Sequence, residues 1–273
     1  MSSQSFPEID RENWVRYAAP AIDPADWTSV IAAAGKGSRL GYHLPKILYP
    51  VGGRPMLEWL LDLVLPFSQT VVVVLAPDGR EAVEPVLETL APRRFRIAIQ
   101  AEPKGMGDAV EIGVSQSETP HTLVMWGDQA ALRPASVEAV MRLHAGPLEP
   151  GLTVPTVIRE QPYIHFERGS DGSISRLLQL REGDRMPKRG ESDTGLFCFR
   201  TALLRSLLAD TRRNGSAQGA GTAEFNLLPA IPLAARAGNR VLTPHIVDEE
   251  ESVGINSADD ARRVEAFLRG AHA

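Results

Sequence analysis

Between Val30 and Leu57 the chain places small residues and fixed cations at a spacing suited to holding a polyanion. A short apolar run gives way to Ala33, Ala34, Gly35, Lys36, Gly37, Ser38 and Arg39, and Lys46 follows seven residues beyond Arg39. Without bulky side chains, backbone N–H groups come close to phosphate oxygens. Arg39 presents a planar fork to two oxygens, and Lys46 a compact, movable charge. The chemistry these residues serve is phosphate binding and charge neutralisation. No other apparatus competes with it: the 273 residues contain no Cys–His pairing, no G-x-S-x-G elbow and no clustered His or Cys spacing.

Neither of the two commonest phosphate loops accounts for this stretch. A Walker loop needs a glycine five residues before Gly35, and a Ser or Thr where Gly37 stands. A dinucleotide fingerprint needs G-x-G-x-x-G, whereas Gly35, Gly37 and Gly41 are spaced G-x-G-x-x-x-G. The run A-A-G-K-G-S-R, closed by Pro45-Lys46, instead resembles the signature of the sugar-1-phosphate nucleotidyltransferases. The closest resemblance is to the uridylyltransferase domain of N-acetylglucosamine-1-phosphate uridylyltransferase. It spans about Val30 to Leu268 and is strongest in the first third.

Further segments carry the resemblance in order. Gln100-Ala101-Glu102-Pro103-Lys104-Gly105-Met106 is similar to the family's nucleobase-contacting segment, with Met106 where a Thr is usual. An amide such as Gln100 matches the donor and acceptor on a pyrimidine edge, and Gly105 lets backbone approach the base. Gly127-Asp128 ends an apolar run, and the resemblance implies that Asp128 is a Mg²⁺ ligand; a capping Asp is the structural alternative. Gln129-Ala130-Ala131-Leu132 departs from the family's apolar-Pro-Leu. Tyr163-Ile164-His165 replaces a glycine-containing sugar contact, so His165 either touches the sugar or is an ordinary strand histidine. Asp193 in Ser192-Asp193-Thr194-Gly195 stands for an Asn that meets sugar hydroxyls, and Glu224 in Glu224-Phe225-Asn226 is a second sugar-side residue. Gly254-Ile255-Asn256 resembles the segment whose Asn is the second metal ligand; Asn256 as a helix cap with Ser257 is the alternative.

The elements that must position these groups alternate. Apolar runs at Val30, Thr70–Ala76, Phe95–Gln100 and His121–Asp128 read as strands, with helices at Pro55–Leu65, Arg80–Leu90 and from Pro134. That alternation predicts an α/β chain with a largely parallel sheet covered on both faces. The resemblance implies a three-layer αβα, Rossmann-like, mixed and mostly parallel sheet of the nucleotide-diphospho-sugar transferase type. From Gly151 the pattern changes to strands at 151–158, Tyr163–Glu167 and Ser173–Leu180, then at Leu196–Phe199 and Arg240–Val247, with a last helix through Leu268. Arg181–Glu191 reads as a solvated loop, and Thr211–Thr222, rich in glycine, as a mobile loop. Residues 1–27 form an accessory segment, with a short helix over Asp10–Tyr17, ahead of a nucleotidyltransferase domain at 28–270.

Composition narrows the partners. A net charge of -5 argues against nucleic acid, no run is apolar enough to span a bilayer, and a lone Cys198 suits a reducing cytoplasm. The resemblance implies a Mg²⁺-dependent nucleotidyltransferase joining a nucleoside triphosphate, UTP favoured, to a sugar-1-phosphate. Arg39, Lys46 and Asp128 are its catalytic groups, and Asp128 with Asn256 its metal ligands. Without hexapeptide repeats, acetyl-CoA is not expected. Two rivals stand beside it: a cytidylyltransferase acting on a polyol phosphate or phosphonate, and a non-catalytic nucleotide-sugar-binding regulator. The sequence leaves monomer or homo-oligomer undecided.

Overall fold

The computed structural model describes residues 13–35 and 37–271. Lys36 and the first residues of the expected Asp10–Tyr17 helix lie outside them. Chain order runs β1 (Trp27–Ala32), the short strands β2 (Pro50–Val51) and β3 (Arg54–Pro55), α1 (Met56–Val64), β4 (Thr70–Leu75) and α2 (Arg80–Leu90). Then come β5 (Phe95–Ile99), α3 (Met106–Ser115), β6 (His121–Trp126), α4 (Pro134–His144), β7 (Leu152–Thr153) and β8 (Thr156–Glu160). The remainder is β9 (Ile164–Arg168), β10 (Ile174–Gln179), β11 (Arg189–Asp193), β12 (Leu196–Arg200), α5 (Thr201–Asn214), α6 (Ala230–Arg236), β13 (Val241–Leu242) and α7 (Ala258–Ala271).

Seven strands form one sheet in the order β13-β7-β12-β6-β1-β4-β5. β1 pairs in parallel with β4 on one side and β6 on the other, while β12 runs antiparallel to β6. The chain leaves β1 towards β4 and β5, then returns past β1 to build β6. The carboxyl ends of β1 and β6 therefore flank a topological switch point, the crevice where open α/β sheets bind ligands.

Alternation along the buried strands divides the core in two. Ile31, Val71, Val73, Leu123 and Met125 pack towards α1 and α4, whereas Val30, Val72, Val74, Val124 and Phe197 pack towards α3, α5 and α6. Two helical layers enclosing a sheet follow directly from that pattern. A third cluster seats α7, through Ala261, Val264 and Leu268, against Met56, Ala130, Ala131 and Ile255. Residues 13–26 lie along α4, where Ala19 and Arg142 exchange hydrogen bonds.

Several expected boundaries shift for local reasons. The 151–158 run divides at Pro155, which lacks an N–H: β7 stays in the main sheet while β8 pairs with β11. The Arg240–Val247 run contributes only Val241–Leu242 as strand. Thr211–Asn214 belongs to α5, where the Thr211 hydroxyl back-bonds to Leu207 and Leu208 and Gly215 caps at φ 70°. α6 begins only at Ala230.

Candidate functional site

The glycine loop leaves β1 at the switch point and turns back so that Lys46 reaches the end of β6. Gly37 adopts φ 60°, and a Cβ there would lie 2.8 Å from Lys46 Cβ. Glycine is thus required twice, for the left-handed turn and for the lysine stem. Gly127 makes the matching approach from β6: its N–H donates to the Ala32 carbonyl at 3.0 Å, and a Cβ would sit 2.9 Å from that oxygen. Ala32, Ala33, Gly35, Lys46, Ile47, Met106, Trp126, Gly127 and Asp128 line the resulting pocket. Ala34 is partly buried beside them.

Four of the residues singled out from sequence converge here. Lys46 Nζ donates to Asp128 Oδ2 at 2.9 Å and to Asn256 Oδ1 at 2.9 Å, and Arg39 reaches the same Asn256 oxygen at 3.5 Å. These oxygens come from positions 128 and 256, joined by the Ile255 N–H, which donates to the Asp128 carbonyl at 3.0 Å. A carboxylate and an amide oxygen already facing one cation suit a hard divalent ion. Among the described residues no group of three or more His, Cys, Asp or Glu side chains could hold a metal.

Asn256 does not cap α7. Ser257 does, its hydroxyl accepting the Asp260 N–H at 3.2 Å, while Asp260 reaches back to accept the N–H groups of Asn256 (2.9 Å) and Ser257 (2.8 Å). That reciprocal cap leaves the Asn256 oxygen to face Lys46.

Gln100, expected to meet the nucleobase, is buried. Its amide nitrogen donates to the Gly105 carbonyl and to Asp108 Oδ2, both at 2.9 Å. Gly105, at φ 105°, could carry no side chain, since a Cβ would meet the Phe225 carbonyl at 2.6 Å. Met106 stands in the pocket lining, where it offers an apolar surface and no hydroxyl.

The residues expected on the sugar side are less uniform. Asp193 is buried, accepts the Gly195 N–H at 3.0 Å, and has its carboxyl pushed up to about 6 by burial. Beneath Gly195 packs Gln129, which also shares the face of Gly254 with Asp128. The buried oxygens Gln129 Oε1 and Thr194 Oγ1 have no hydrogen-bond partner. His165 is held by the Glu191 carbonyl at 3.1 Å, as a strand histidine with a satisfied ring nitrogen. Glu224 pairs with Arg181. Cys198 is fully buried, and burial raises its thiol well above the ordinary value, so it is inert packing.

Sequence reasoning passed over two residues. Trp126 reads as one more apolar strand position, although it lines the pocket and packs on Phe197 at 4.8 Å between centroids. Glu182 reads as part of a solvated loop, whereas its carboxylate accepts from Gly221, Thr222 and Asn226 and pins the segment expected to be mobile.

Residues 29–217 match the model of the MobA-like NTP transferase domain. The bifunctional protein GlmU of an Exiguobacterium species is 30% identical over 246 residues, covering 88% of this chain and 52% of that protein. GlmU of Paraburkholderia phytofirmans is 31% identical over 240 residues, covering 86% and 51%. The chain thus spans about half the length of the curated relatives it matches. A UDP-glucose pyrophosphorylase complexed with UDP-glucose has a similar fold, with a TM-score of 0.68 at 13% identity over 89% of this chain and 98% of that one. The 4-diphosphocytidyl-2C-methyl-D-erythritol synthase of Anaerococcus prevotii gives 0.64 at 15% identity over 90% and 100%. No described helix is long and apolar enough to cross a membrane.

Proposed function

The chain belongs to the family of MobA-like NTP transferase domains, and we propose that it transfers a nucleotidyl group from a nucleoside triphosphate to a phosphorylated small-molecule acceptor. UTP and a sugar-1-phosphate are the favoured pair. The observation that carries this reading is the convergence of Arg39, Lys46, Asp128 and Asn256 at the β1–β6 switch point.

An oxygen of the acceptor phosphate forms a bond to the α-phosphorus of the triphosphate, and the bond to the β-phosphate bridging oxygen breaks to release pyrophosphate. That nucleophile is an anion at neutral pH, so no side chain has to remove a proton. The protein's work is alignment and neutralisation. Backbone amides of the 33–37 loop and Arg39 hold the departing phosphates. Lys46 neutralises the α-phosphate, where charge builds. Asp128 and Asn256 would hold Mg²⁺, whose positive charge offsets that of the phosphate oxygens. On the acceptor side Asp193, His165 and Glu224 are the candidate sugar contacts, with Asp193 accepting hydroxyl hydrogen bonds.

The likeness of Gln100–Gly105 to a uridine-binding segment supports UTP. Met106 in the pocket lining favours a second reading, CTP with a polyol phosphate or phosphonate, because the usual hydroxyl contact is missing. Pyrophosphate release with Mg²⁺, crossing five nucleoside triphosphates against sugar-1-phosphates, polyol phosphates and phosphonates, separates them. UTP-dependent turnover lost in Asp128→Ala supports the first reading, and turnover with CTP alone the second. Silence with every pair, alongside retained nucleotide binding, would leave the non-catalytic regulator.

A further inference from the structure

Glu182 lies just beyond β10 and is not among the pocket-lining residues, yet its carboxylate grips another segment at four points. Oε2 accepts the N–H groups of Gly221 (2.9 Å) and Thr222 (3.1 Å); Oε1 accepts the Thr222 hydroxyl (2.7 Å) and the Asn226 amide (3.2 Å). Gly219 closes against the same group, since a Cβ there would come within 2.3 Å of Oε2. Arg181, next in the chain, pairs with Glu224.

The gripped segment in turn grips the loop before α3. The Phe225 N–H donates to the Lys104 carbonyl at 2.7 Å, and the Gly107 N–H donates back to the Phe225 carbonyl at 2.8 Å. Arg212 stacks on the Phe225 ring at 4.3 Å and bonds Asp108 at 2.7 Å. Between those fixed points stands Met106, in the pocket lining beside Lys46 and Asp128.

We propose that Glu182 is a positioning residue for the nucleotide side of the pocket, acting through residues 219–226 on the Lys104–Asp108 loop. The inference rests on the reading of this pocket as a triphosphate site. Four donors meeting two oxygens require an acceptor-only group, which an ionised carboxylate is. Burial pushes Glu182 towards the neutral acid, but the bonds from Thr222, Asn226 and Gly221 outweigh it and hold the carboxyl below its ordinary value. In Glu182→Gln an amide N–H₂ would face other N–H groups, so the grip fails while the side-chain volume stays.

The test is hydrogen exchange on the ligand-free protein, comparing Glu182→Gln and the milder Thr222→Val with wild type. Exchange is expected to rise on the order of tenfold both in 217–226 and in 104–109, with β1 and β4 unchanged. A rise confined to 217–226 in both variants would overturn the proposal. In turnover, KM for the triphosphate is expected to rise on the order of tenfold with kcat within about threefold, because Lys46 and Asp128 are untouched. A loss of folded enzyme would lower kcat at constant KM, and that outcome also counts against positioning. Exchange is read without substrate, so a wild-type protein that binds no triphosphate overturns the reading of the site and not the coupling.

Discussion

Lys46 Nζ lies 2.9 Å from Asp128 Oδ2, across a separation of 82 residues, with the two side chains only 14% and 20% exposed. The pair is shielded enough for its charges to matter beyond the small worth of a surface ion pair. It also puts a single ammonium against both candidate metal ligands, since Asn256 Oδ1 is equally close.

Lys46→Ala is expected to lower kcat by about 10²–10³-fold, the usual effect of deleting one preorganised charge at a reacting centre. The melting temperature should move by a few degrees at most. Lys46→Arg should not restore activity, because a longer, planar guanidinium spreads its charge and does not put it where the compact ammonium sits. Pyrophosphate release beside a thermal melt measures both quantities. Full turnover in Lys46→Ala would remove it from the catalytic set.

Asn256 and Asp260 divide two jobs that one segment of sequence could have combined. Asp260→Ala leaves the Ser257 cap but removes the carboxylate that closes the capping box of α7, and should cost about 1 kcal/mol of stability. Asn256→Ala should leave stability nearly unchanged and abolish most turnover. A larger loss of activity in Asp260→Ala than in Asn256→Ala would reverse the assignment.

What the sequence made legible was whatever is encoded locally. The strands through Val30, Val72 and Val124 and the helix Arg80–Leu90 follow from apolar periodicity, and the loop at Gly35–Arg39 from its small residues and charge. Arg39, Lys46, Asp128 and Asn256 were identified by motif, and their meeting is a consequence of the sheet order. Glu182 was illegible because its partners lie about 40 residues away and nothing in its own neighbourhood distinguishes it from a solvated acid. Gln100 showed the converse limit: its residue type suggested an outward contact, while a buried Asp108 eight residues on draws its amide inward.

His144 should make the protein acid-sensitive. It is buried against Trp27 (5.5 Å between centroids) and His121 (5.2 Å), with its Nδ1 3.0 Å from the Thr153 hydroxyl. Burial, reinforced by His121 and Arg200, holds its pKa well below the ordinary value. The unfolded chain takes up a proton below about pH 6.5 while the folded chain does not, so stability falls as pH drops through that value, by about 1.4 kcal/mol per pH unit. A His144→Gln variant should lose less stability than wild type between pH 7 and pH 5. Equal slopes in melts at the two pH values would exclude His144 as the cause.

Asp193 has the opposite sign. Burial raises its folded pKa from the ordinary 3.8 to about 6. Below about pH 4 both states hold the proton and no penalty exists; between 4 and 6 only the folded state holds it. Above 6 the folded protein carries a buried carboxylate at a cost of about 3 kcal/mol. Stability attributable to Asp193 is therefore lost as pH rises through that window, which overlaps the His144 effect and opposes it, so only single variants resolve the two. Asp193→Asn keeps an oxygen for the Gly195 N–H and removes the charge, and should raise the melting temperature at pH 8 while leaving it unchanged near pH 4. The same variant bears on the acceptor: if the ionised carboxylate accepts hydroxyl hydrogen bonds, KM for the acceptor should rise in Asp193→Asn at pH 8 and approach that of wild type near pH 5. An acceptor KM equal to that of wild type at both pH values would leave Asp193 a purely structural buried acid.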